Sequence, residues 1–219
     1  MATFTATAGS NTTIGYAQYG STSWNTGTTD GACQGAYQGT AASNSRVGVL
    51  VFSGAGAALK GKVIQQIVLK ITASGAGSGG SDKVITFRKA QYQSLKTGIK
   101  GSAQVGTVLG TLTGKFYNNT PTHTLSASSN TSLFNAMKDY FVAGNSVLVI
   151  YNGETSSSSG YSTNYARLTT VVLTVTYVDA SVWYNNGGTW TQCTVWYCNN
   201  GTWVQCVPYY NSGGSWIRV

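Results

Sequence analysis

The residues best suited to chemistry lie in the last forty positions, where aromatic rings alternate with side-chain amides. A thirteen-residue unit is written three times there, beginning at Val182, Val195 and Pro208. Flat indole and phenol rings stack on the faces of sugar rings, and amides hydrogen-bond to sugar hydroxyls. The pattern therefore predicts non-covalent contact with carbohydrate rather than bond-making chemistry.

Each unit has the sequence form of a β-hairpin, with a short turn between two aromatic runs. Asn200-Gly201 is a favoured two-residue turn because both central positions need positive φ, and Gly187-Gly188 and Gly213-Gly214 occupy the same place in the outer units. A two-residue turn pairs Tyr184 with Thr191 on the core-facing side. The opposite side, named the hairpin face, comprises Trp183, Trp190, Asn185, Gln192, Trp196, Trp203, Gln205, Tyr209, Trp216 and Asn211.

Burial is the alternative use of the hairpin-face rings, either in a sheet layer or against symmetry-related copies. Stacking one sugar on an exposed ring contributes about 1 kcal/mol, comparable to an aromatic pair. Burying a tryptophan contributes several kcal/mol at roughly 25 cal/mol per Å². We therefore favour burial for at least half of the ring surface and keep glycan contact as the second interpretation.

Basic residues form a second candidate site. The chain carries 13 Lys and Arg against 5 Asp and Glu, a net charge of +8. Eight basic residues between positions 60 and 100 are opposed there by Asp82 alone: Lys60, Lys62, Lys70, Lys83, Arg88, Lys89, Lys96 and Lys100. Such a basic face suits an anionic polymer, such as nucleic acid or a cell-wall polysaccharide, or an acidic partner surface. No nucleic-acid-binding motif accompanies it, so we expect a solvated strand face and no nucleic-acid partner.

Catalytic and metal-binding patterns are weak. The five acidic residues are far apart in sequence, whereas a glycosidase needs two facing carboxylates. His123 lies between two threonines, which indicates a strand-surface residue. The cysteines, Cys33, Cys193, Cys198 and Cys206, lack the CxxC spacing of a zinc site. We expect small buried cysteines, no enzymatic activity, no cofactor and no metal.

Composition and periodicity predict an all-β chain. Charged residues make up 8% of the sequence, while glycine, with 28 residues, serine and threonine are abundant. Residues 1–179 are expected to form an antiparallel, jelly-roll-like β-sandwich, with residues 180–219 as three β-hairpin repeats. Alternating apolar residues mark strands at Val63–Ala73 and Ala166–Val178.

A single helix is predicted at Thr131–Val142, with Asn130 or Thr131 as N-cap and Gly144 as the C′ stop. Residues 20–45 form a long connection rich in small and polar residues, and connections of that length are often functional. No run of about 18 apolar residues predicts membrane insertion, and the amino terminus lacks the pattern of a signal peptide. We therefore expect folding in a cytoplasm.

Three stretches carry a resemblance to known proteins. Ser146-Val-Leu-Val-Ile-Tyr151, the strand ending Leu173-Thr-Val-Thr-Tyr177, and the basic strand from Leu59 to Ile71 resemble β-sandwich modules of bacteriophage tail and prophage minor structural proteins. The carboxy-terminal units are similar to short hairpins that end many structural proteins of phages of Gram-positive hosts. The resemblance covers most of residues 46–219 and brings no catalytic residues.

This resemblance implies a virion surface protein, either a tail fibre, receptor-binding or minor tail subunit, or a capsid decoration or head-fibre protein. Such a protein assembles in the host cytoplasm and is exposed on the particle. Its implied partners are other virion proteins, further copies of the chain with a trimer favoured, and a glycan of the host surface. A carbohydrate-binding module of a bacterial surface protein is the alternative, and it would need export.

Overall fold

The computed structural model describes most of the chain. It covers residues 1–74, 81–156, 160–179, 182–186, 189–193, 196–205, 209–212 and 215–218. Beyond residue 179, side chains are described only at positions 196, 198 and 200–202. The described chain is mostly β, with antiparallel sheets and two helices, as the all-β prediction requires.

Seventeen strands, two α-helices and two short 3-10 helices, at Ala42–Asn44 and Gly101–Gln104, make up the described secondary structure. The strands preceding the first helix are β1 (Ala2–Ala8), β2 (Ile14–Gln18), β3 (Trp24–Thr26), β4 (Ala32–Gln34) and β5 (Arg46–Val51). Helix α1 (Ala55–Leu59) is followed by β6 (Val63–Ala73), β7 (Lys83–Ala90), β8 (Val105–Gly114) and β9 (Thr122–Ser126). Helix α2 (Thr131–Val142) is followed by β10 (Val147–Ile150) and β11 (Ala166–Val178). The last six strands are β12 (Val182–Asn186), β13 (Thr189–Cys193), β14 (Trp196–Asn199), β15 (Thr202–Gln205), β16 (Tyr209–Ser212) and β17 (Ser215–Arg218).

Two antiparallel sheets enclose one core. The first sheet has the order β1-β11-β6-β9, with β4 also paired to β11, and the second has the order β3-β2-β5-β10-β7-β8. Ile67 and Leu173 of the first sheet join Leu50, Phe87 and Leu148 of the second in one fully buried cluster. This packing follows from the period-2 alternation of apolar residues, which turns one face of each sheet inward. Strands β5 and β10 are buried on their other face as well, in a second cluster that includes Val49 and Val149.

Helix α2 has the predicted boundaries. Asn130 occupies the N-cap position in a left-handed conformation, but its side chain donates to Thr124 O at 3.1 Å instead of capping the helix. Gly144 has φ +95°, and its N–H donates to Phe141 O at 2.9 Å, as expected of a C′ glycine. The prediction of one helix was incomplete, because α1 is formed by an Ala/Gly-rich stretch without a helical apolar stripe.

The connection 20–45 is more ordered than its composition predicted. It contributes β3 to the edge of the second sheet and β4 to the first. Each of these strands is three residues long, too short for a periodic signal to be visible in the sequence. Through them one connection contacts both sheets at the same end of the fold.

The carboxy-terminal strands pair antiparallel in sequence order. The Cα partners include Tyr184 with Thr191 and Tyr210 with Ile217. Asn200 and Gly201 connect β14 to β15 with φ of 48° and 83°, the signs that a type I′ turn needs. The predicted turns at 187–188 and 213–214, and the junction at 180–181, lie outside the described residues.

Candidate functional site

The hairpin face is only partly described. Backbone pairing sets Trp183 opposite Gln192, Asn185 opposite Trp190, Trp196 opposite Gln205 and Asn211 opposite Trp216. Trp203 pairs with Cys198, and Tyr209 with Arg218. Of these ten candidate residues, the side chain of Trp196 is described, and it is 52% exposed. The other nine side chains lie outside the described residues, so their use for stacking or for packing stays a prediction.

The eight basic residues do not share one strand face. Lys70 lies in β6 of the first sheet, whereas Arg88 and Lys89 lie in β7 of the second. Lys60, Lys70, Lys89, Lys96 and Lys100 are exposed. Lys62 forms an ion pair with Asp179. These residues are close together in the sequence, but β6 belongs to the first sheet and β7 to the second, so they lie on different sheets.

Two of the eight basic residues have structural roles. Lys83 is buried, and its Nζ donates to Thr163 O at 2.9 Å and Ser81 Oγ at 3.2 Å. Arg88 donates from Nε to Tyr151 O at 2.9 Å and lies over the Tyr151 ring at 5.4 Å. The expectation of a solvated face was therefore wrong for Lys83, because the sequence could not reveal the carbonyl that its ammonium reaches.

The expectations for Cys198 and His123 also differ from the structure. Cys33 is fully buried as expected, but Cys198 is exposed; the side chains of Cys193 and Cys206 are outside the described residues. His123 is half-buried against Phe116, with ring centroids 5.4 Å apart, and its Nε2 has no hydrogen-bond partner among the described residues. Burial lowers the pKa of His123, so it is neutral at pH 7. The predicted strand-surface histidine thus packs against an aromatic ring.

A cluster of aromatic residues lies where two connections meet. We define the loop end as residues 20–46 together with 152–156 and 160–165. Tyr37 and Tyr161 form an isolated antiparallel bridge, and their rings stand 4.4 Å apart. Both rings are accessible, with 42% and 39% of their surfaces exposed. Exposed phenol rings beside each other offer a flat apolar surface with hydroxyl groups at its edge.

The aromatic cluster continues inward to an arginine. The Tyr161 ring lies 4.5 Å from the ring of Tyr165, which is 1% exposed. The Arg46 guanidinium lies between two rings, 5.1 Å from that of Tyr165 and 4.8 Å from that of Tyr16, and it donates to Tyr165 Oη. Stacking fixes the plane of the guanidinium, which also hydrogen-bonds to the Cys33 sulfur, and its five N–H donors exceed the needs of these two contacts.

Arg46 lines a small cavity at the loop end. The cavity has a volume of about 160 Å³. Its wall comprises Tyr16, Gln18, Ser21, Ser23, Asn25 and Arg46, and we name it the end pocket. Tyr16 and Gln18 lie in β2, Asn25 in β3 and Arg46 at the start of β5, so three adjacent strands position it. The lining combines one guanidinium cation, one phenol ring, two carboxamides and two serine hydroxyl groups.

The side chains that contact Arg46 are neutral at pH 7. Burial raises the pKa of the Cys33 thiol to about 11. Burial also raises the pKa of Tyr16, and it raises the pKa of Tyr165 well above its usual range. The ion pair formed among the described residues joins Lys62 to Asp179. No carboxylate oxygen of the described residues lies within 4.0 Å of Arg46. The positive charge of Arg46 is therefore not neutralised by a neighbouring side chain.

Buried amide groups hold the loop end against β7. Gln34 is fully buried; its Nε2 donates to Val84 O at 2.7 Å and to Asn164 O at 2.9 Å, and its Oε1 accepts from Thr86 N at 3.0 Å. Asn164 Oδ1 accepts from Val84 N at 2.8 Å, and Asn164 N donates to Glu154 Oε2 at 2.8 Å. These side chains hydrogen-bond to β7 before its pairing with β10 begins at Phe87, and so attach the loop end to that strand.

A larger groove, of about 560 Å³, lies between α2 and strands β7 and β8. Its lining includes Val108, which is 52% exposed, together with Tyr140, Lys89 and Asp139. In the described part of the chain, no group of three His, Cys, Asp or Glu side chains is arranged to hold a metal ion. No helix of the described residues is long and apolar enough to cross a membrane.

The residues of the loop end were not predicted from the sequence. The sequence indicated that residues 20–45 matter, but it did not connect Tyr37 with Tyr161 or Arg46 with Tyr16 and Tyr165. One signal was available: an arginine opens the otherwise apolar strand Arg46-Val-Gly-Val-Leu-Val51. Comparison of the chain with models of known protein families gives no match, and comparison with curated protein sequences gives none either.

Proposed function

We propose that the chain is a non-enzymatic surface protein of a bacteriophage particle, a tail-fibre, receptor-binding or minor tail subunit that contributes to assembly and host-surface attachment. Its localisation is then the virion, with assembly in the host cytoplasm and exposure on the particle. In this proposal the sandwich carries recognition and the carboxy-terminal repeats carry assembly.

The order of the strands is the observation that carries the proposal. Once β2, β3 and β4 are set aside, eight strands remain, in the orders β1-β11-β6-β9 and β5-β10-β7-β8. The first of these eight strands, β1, lies beside the last, β11, and the chain passes repeatedly from one sheet to the other between successive strands. This arrangement supports a jelly roll. Jelly rolls occur in viral capsid and lectin domains. This is an argument by analogy of fold, so function has to come from the site.

The loop end supports a role in recognition. The paired rings of Tyr37 and Tyr161 are accessible, and Gln18 and Asn25 present exposed carboxamides in the end pocket. Rings and amides are the groups that contact the faces and hydroxyls of sugars. A single shallow site of this kind binds weakly, so attachment relies on several copies acting together.

The carboxy-terminal strands support a role in assembly. We propose that β12 to β17 form three hairpin repeats whose hairpin-face rings pack between copies of the chain, with a trimer as the favoured state. An isolated two-stranded hairpin is at most marginally stable in water. Packing between copies would stabilise the three hairpins and cover apolar rings in a closed assembly.

A carbohydrate-binding module of a bacterial surface protein is the second candidate. The accessible Tyr37–Tyr161 pair favours it as much as it favours a phage receptor-binding role. A capsid decoration or head-fibre protein would share the same fold and differ in its place on the particle. The location of the protein distinguishes all three.

The test combines particle composition with localisation. Particles induced from a strain that carries the gene are purified, examined by peptide mass spectrometry, and labelled with gold-conjugated antibody against residues 1–179. Gold at the tail tip, with purified chain competing against particle adsorption, is the expected result. Gold over the head indicates decoration. Protein absent from particles and present in the cell envelope would refute the virion proposal.

A further inference from the structure

We propose that the end pocket binds the carboxylate of an acidic sugar, such as a hexuronic acid unit of a host-surface polysaccharide, with Arg46 as the carboxylate-binding residue. This inference rests on the proposed function, and it names the class of glycan that the loop end recognises.

The charge of Arg46 is the first reason. Its guanidinium is half-buried between the rings of Tyr16 and Tyr165, and no carboxylate of the described residues pairs with it. Cys33 and both tyrosines are neutral at pH 7 because burial raises their pKa values. A partly desolvated cation without a counter-charge favours an anionic ligand more strongly than an exposed one does.

The geometry of the donors favours a carboxylate over a phosphate. Arginine presents five N–H donors in a planar fork, and Arg46 uses some of them for Tyr165 Oη and the Cys33 sulfur. The N–H groups that these two contacts leave can donate to the oxygens of a planar carboxylate. The end pocket has no lysine and no second arginine in its lining, whereas a doubly charged phosphate is better matched by several cations.

The rest of the lining favours a sugar. Gln18, Ser23 and Asn25 are exposed, and the carboxamides of Gln18 and Asn25 have no hydrogen-bond partner among the described residues. These groups can bond to ring hydroxyls next to the carboxylate. The cavity of about 160 Å³ is smaller than the roughly 300–1,000 Å³ of sites for drug-sized ligands, so it suits one sugar unit of a chain.

The direct test is titration of the full chain with D-glucuronate, followed by backbone amide NMR. Glucose is the neutral control, and inorganic phosphate is the anion control. We expect glucuronate to shift the amide signals of residues 16–25 and 46, with weaker binding at higher salt, and glucose and phosphate to bind at least about tenfold more weakly. Equal binding of glucose, or of phosphate, would overturn carboxylate recognition, and so would absence of any shift with glucuronate.

Substitutions separate recognition from folding. Arg46→Gln removes the charge, and we expect about tenfold to hundredfold weaker glucuronate binding, the range for a lost charge-assisted hydrogen bond. Because Arg46 also contacts Tyr165, its replacement can disturb the fold. The variants Asn25→Ala and Gln18→Ala, on the exposed rim of the pocket, keep the contacts of Arg46. We expect each of them to weaken glucuronate binding about threefold to tenfold. Gln65→Ala, exposed on β6, is the matched control. Unchanged affinity in both rim variants, or in a folded Arg46→Gln variant, would overturn the proposal.

A particle assay keeps this inference distinct from the proposed function. Particles carrying Asn25→Ala are compared with wild type for incorporation of the chain and for adsorption. Normal incorporation with weaker adsorption supports both proposals. Normal incorporation with unchanged adsorption rejects the end pocket alone, whereas a wild-type chain absent from particles rejects the virion role, whatever the pocket binds.

Discussion

At the loop end, single side chains hydrogen-bond to the start of β7, where β10 does not yet pair with it. Gln34 satisfies two carbonyls and one amide N–H with one carboxamide, all in a fully buried position. A buried polar group that loses its partner costs about 1–3 kcal/mol, since it gives up water without gaining a bond. The position of the loop end on β7 therefore depends on this side chain more than on apolar packing.

Replacement of Gln34 tests this dependence. Gln34→Ala leaves Val84 O, Thr86 N and Asn164 O without their side-chain partner, and we expect the free energy of unfolding to fall by about 2–4 kcal/mol. Urea denaturation measures the change. Gln65→Ala, on the exposed face of β6, should change it by less than about 0.5 kcal/mol. Equal effects in the two variants would contradict a structural role for the buried carboxamide.

Cys33 makes the stability of the protein sensitive to alkaline pH. Burial raises the pKa of its thiol from 9.0 to about 11, so the folded state holds a proton that the unfolded state releases. This contribution to stability is complete below pH 9 and is lost as the pH rises towards 11. The expected slope in that interval is about −1.4 kcal/mol per pH unit.

The matched variant for this pH dependence is Cys33→Ala, which keeps a small apolar side chain. Urea unfolding at pH 8, 9, 10 and 11 should show the stability difference between wild type and variant shrinking as the pH rises. Other groups that titrate in this range, including Tyr16 and Tyr165, whose pKa values are also raised, act in both proteins. A difference that stays constant from pH 8 to 11 would show that Cys33 does not titrate in this way.

At the scale of elements, the end of α2 is set by backbone conformation. Gly144 has φ +95°, which residues with a side chain rarely adopt, and a Cβ there would meet its nearest atom, Lys60 Cδ, at an ordinary 3.6 Å. Gly144→Ala should therefore lower the free energy of unfolding by about 1–2 kcal/mol through backbone strain alone, and the melting temperature with it. Gly160→Ala is the control, because Gly160 is not among the positive-φ glycines of the described residues and a Cβ added there meets none of their atoms within 4 Å. Comparable melting temperatures for the two variants would argue against strain at the helix end.

The elements also show where the sequence was informative. The strands Val63–Ala73 and Ala166–Val178 and the helix Thr131–Val142 were predicted at their observed boundaries, because each is long enough to display its period. Helix α1 and strands β3 and β4 were missed, since three to five residues cannot display a period. The loop end was missed for a related reason: Tyr37, Arg46 and Tyr161 meet only through tertiary structure, which no local pattern records.

At the scale of the whole molecule, the described sandwich is closed around its own core, whereas the carboxy-terminal strands pair only within successive two-stranded sheets. Two-stranded sheets need a further apolar surface to be stable. The largest gain available to them is burial of the hairpin-face tryptophans, at roughly 25 cal/mol per Å² of apolar surface. We therefore expect the oligomeric state, rather than the fold of residues 1–179, to depend on these rings.

Paired substitutions decide between assembly and glycan contact on the hairpin face. Two double variants, Trp183→Ala/Trp190→Ala and Trp196→Ala/Trp203→Ala, are measured by light scattering coupled to size exclusion. We expect each to convert the proposed assembly of three 22.9 kDa chains into monomers and to retain the melting transition of the sandwich. Thr202→Ala, on the exposed end of β15, is the control and should leave the mass unchanged. If both double variants remain trimeric while glycan adsorption falls, the rings serve recognition, because removal of rings buried between copies would have dissociated the trimer. A wild-type chain that is already monomeric at micromolar concentration would remove the assembly role and leave the hairpin face free for ligand.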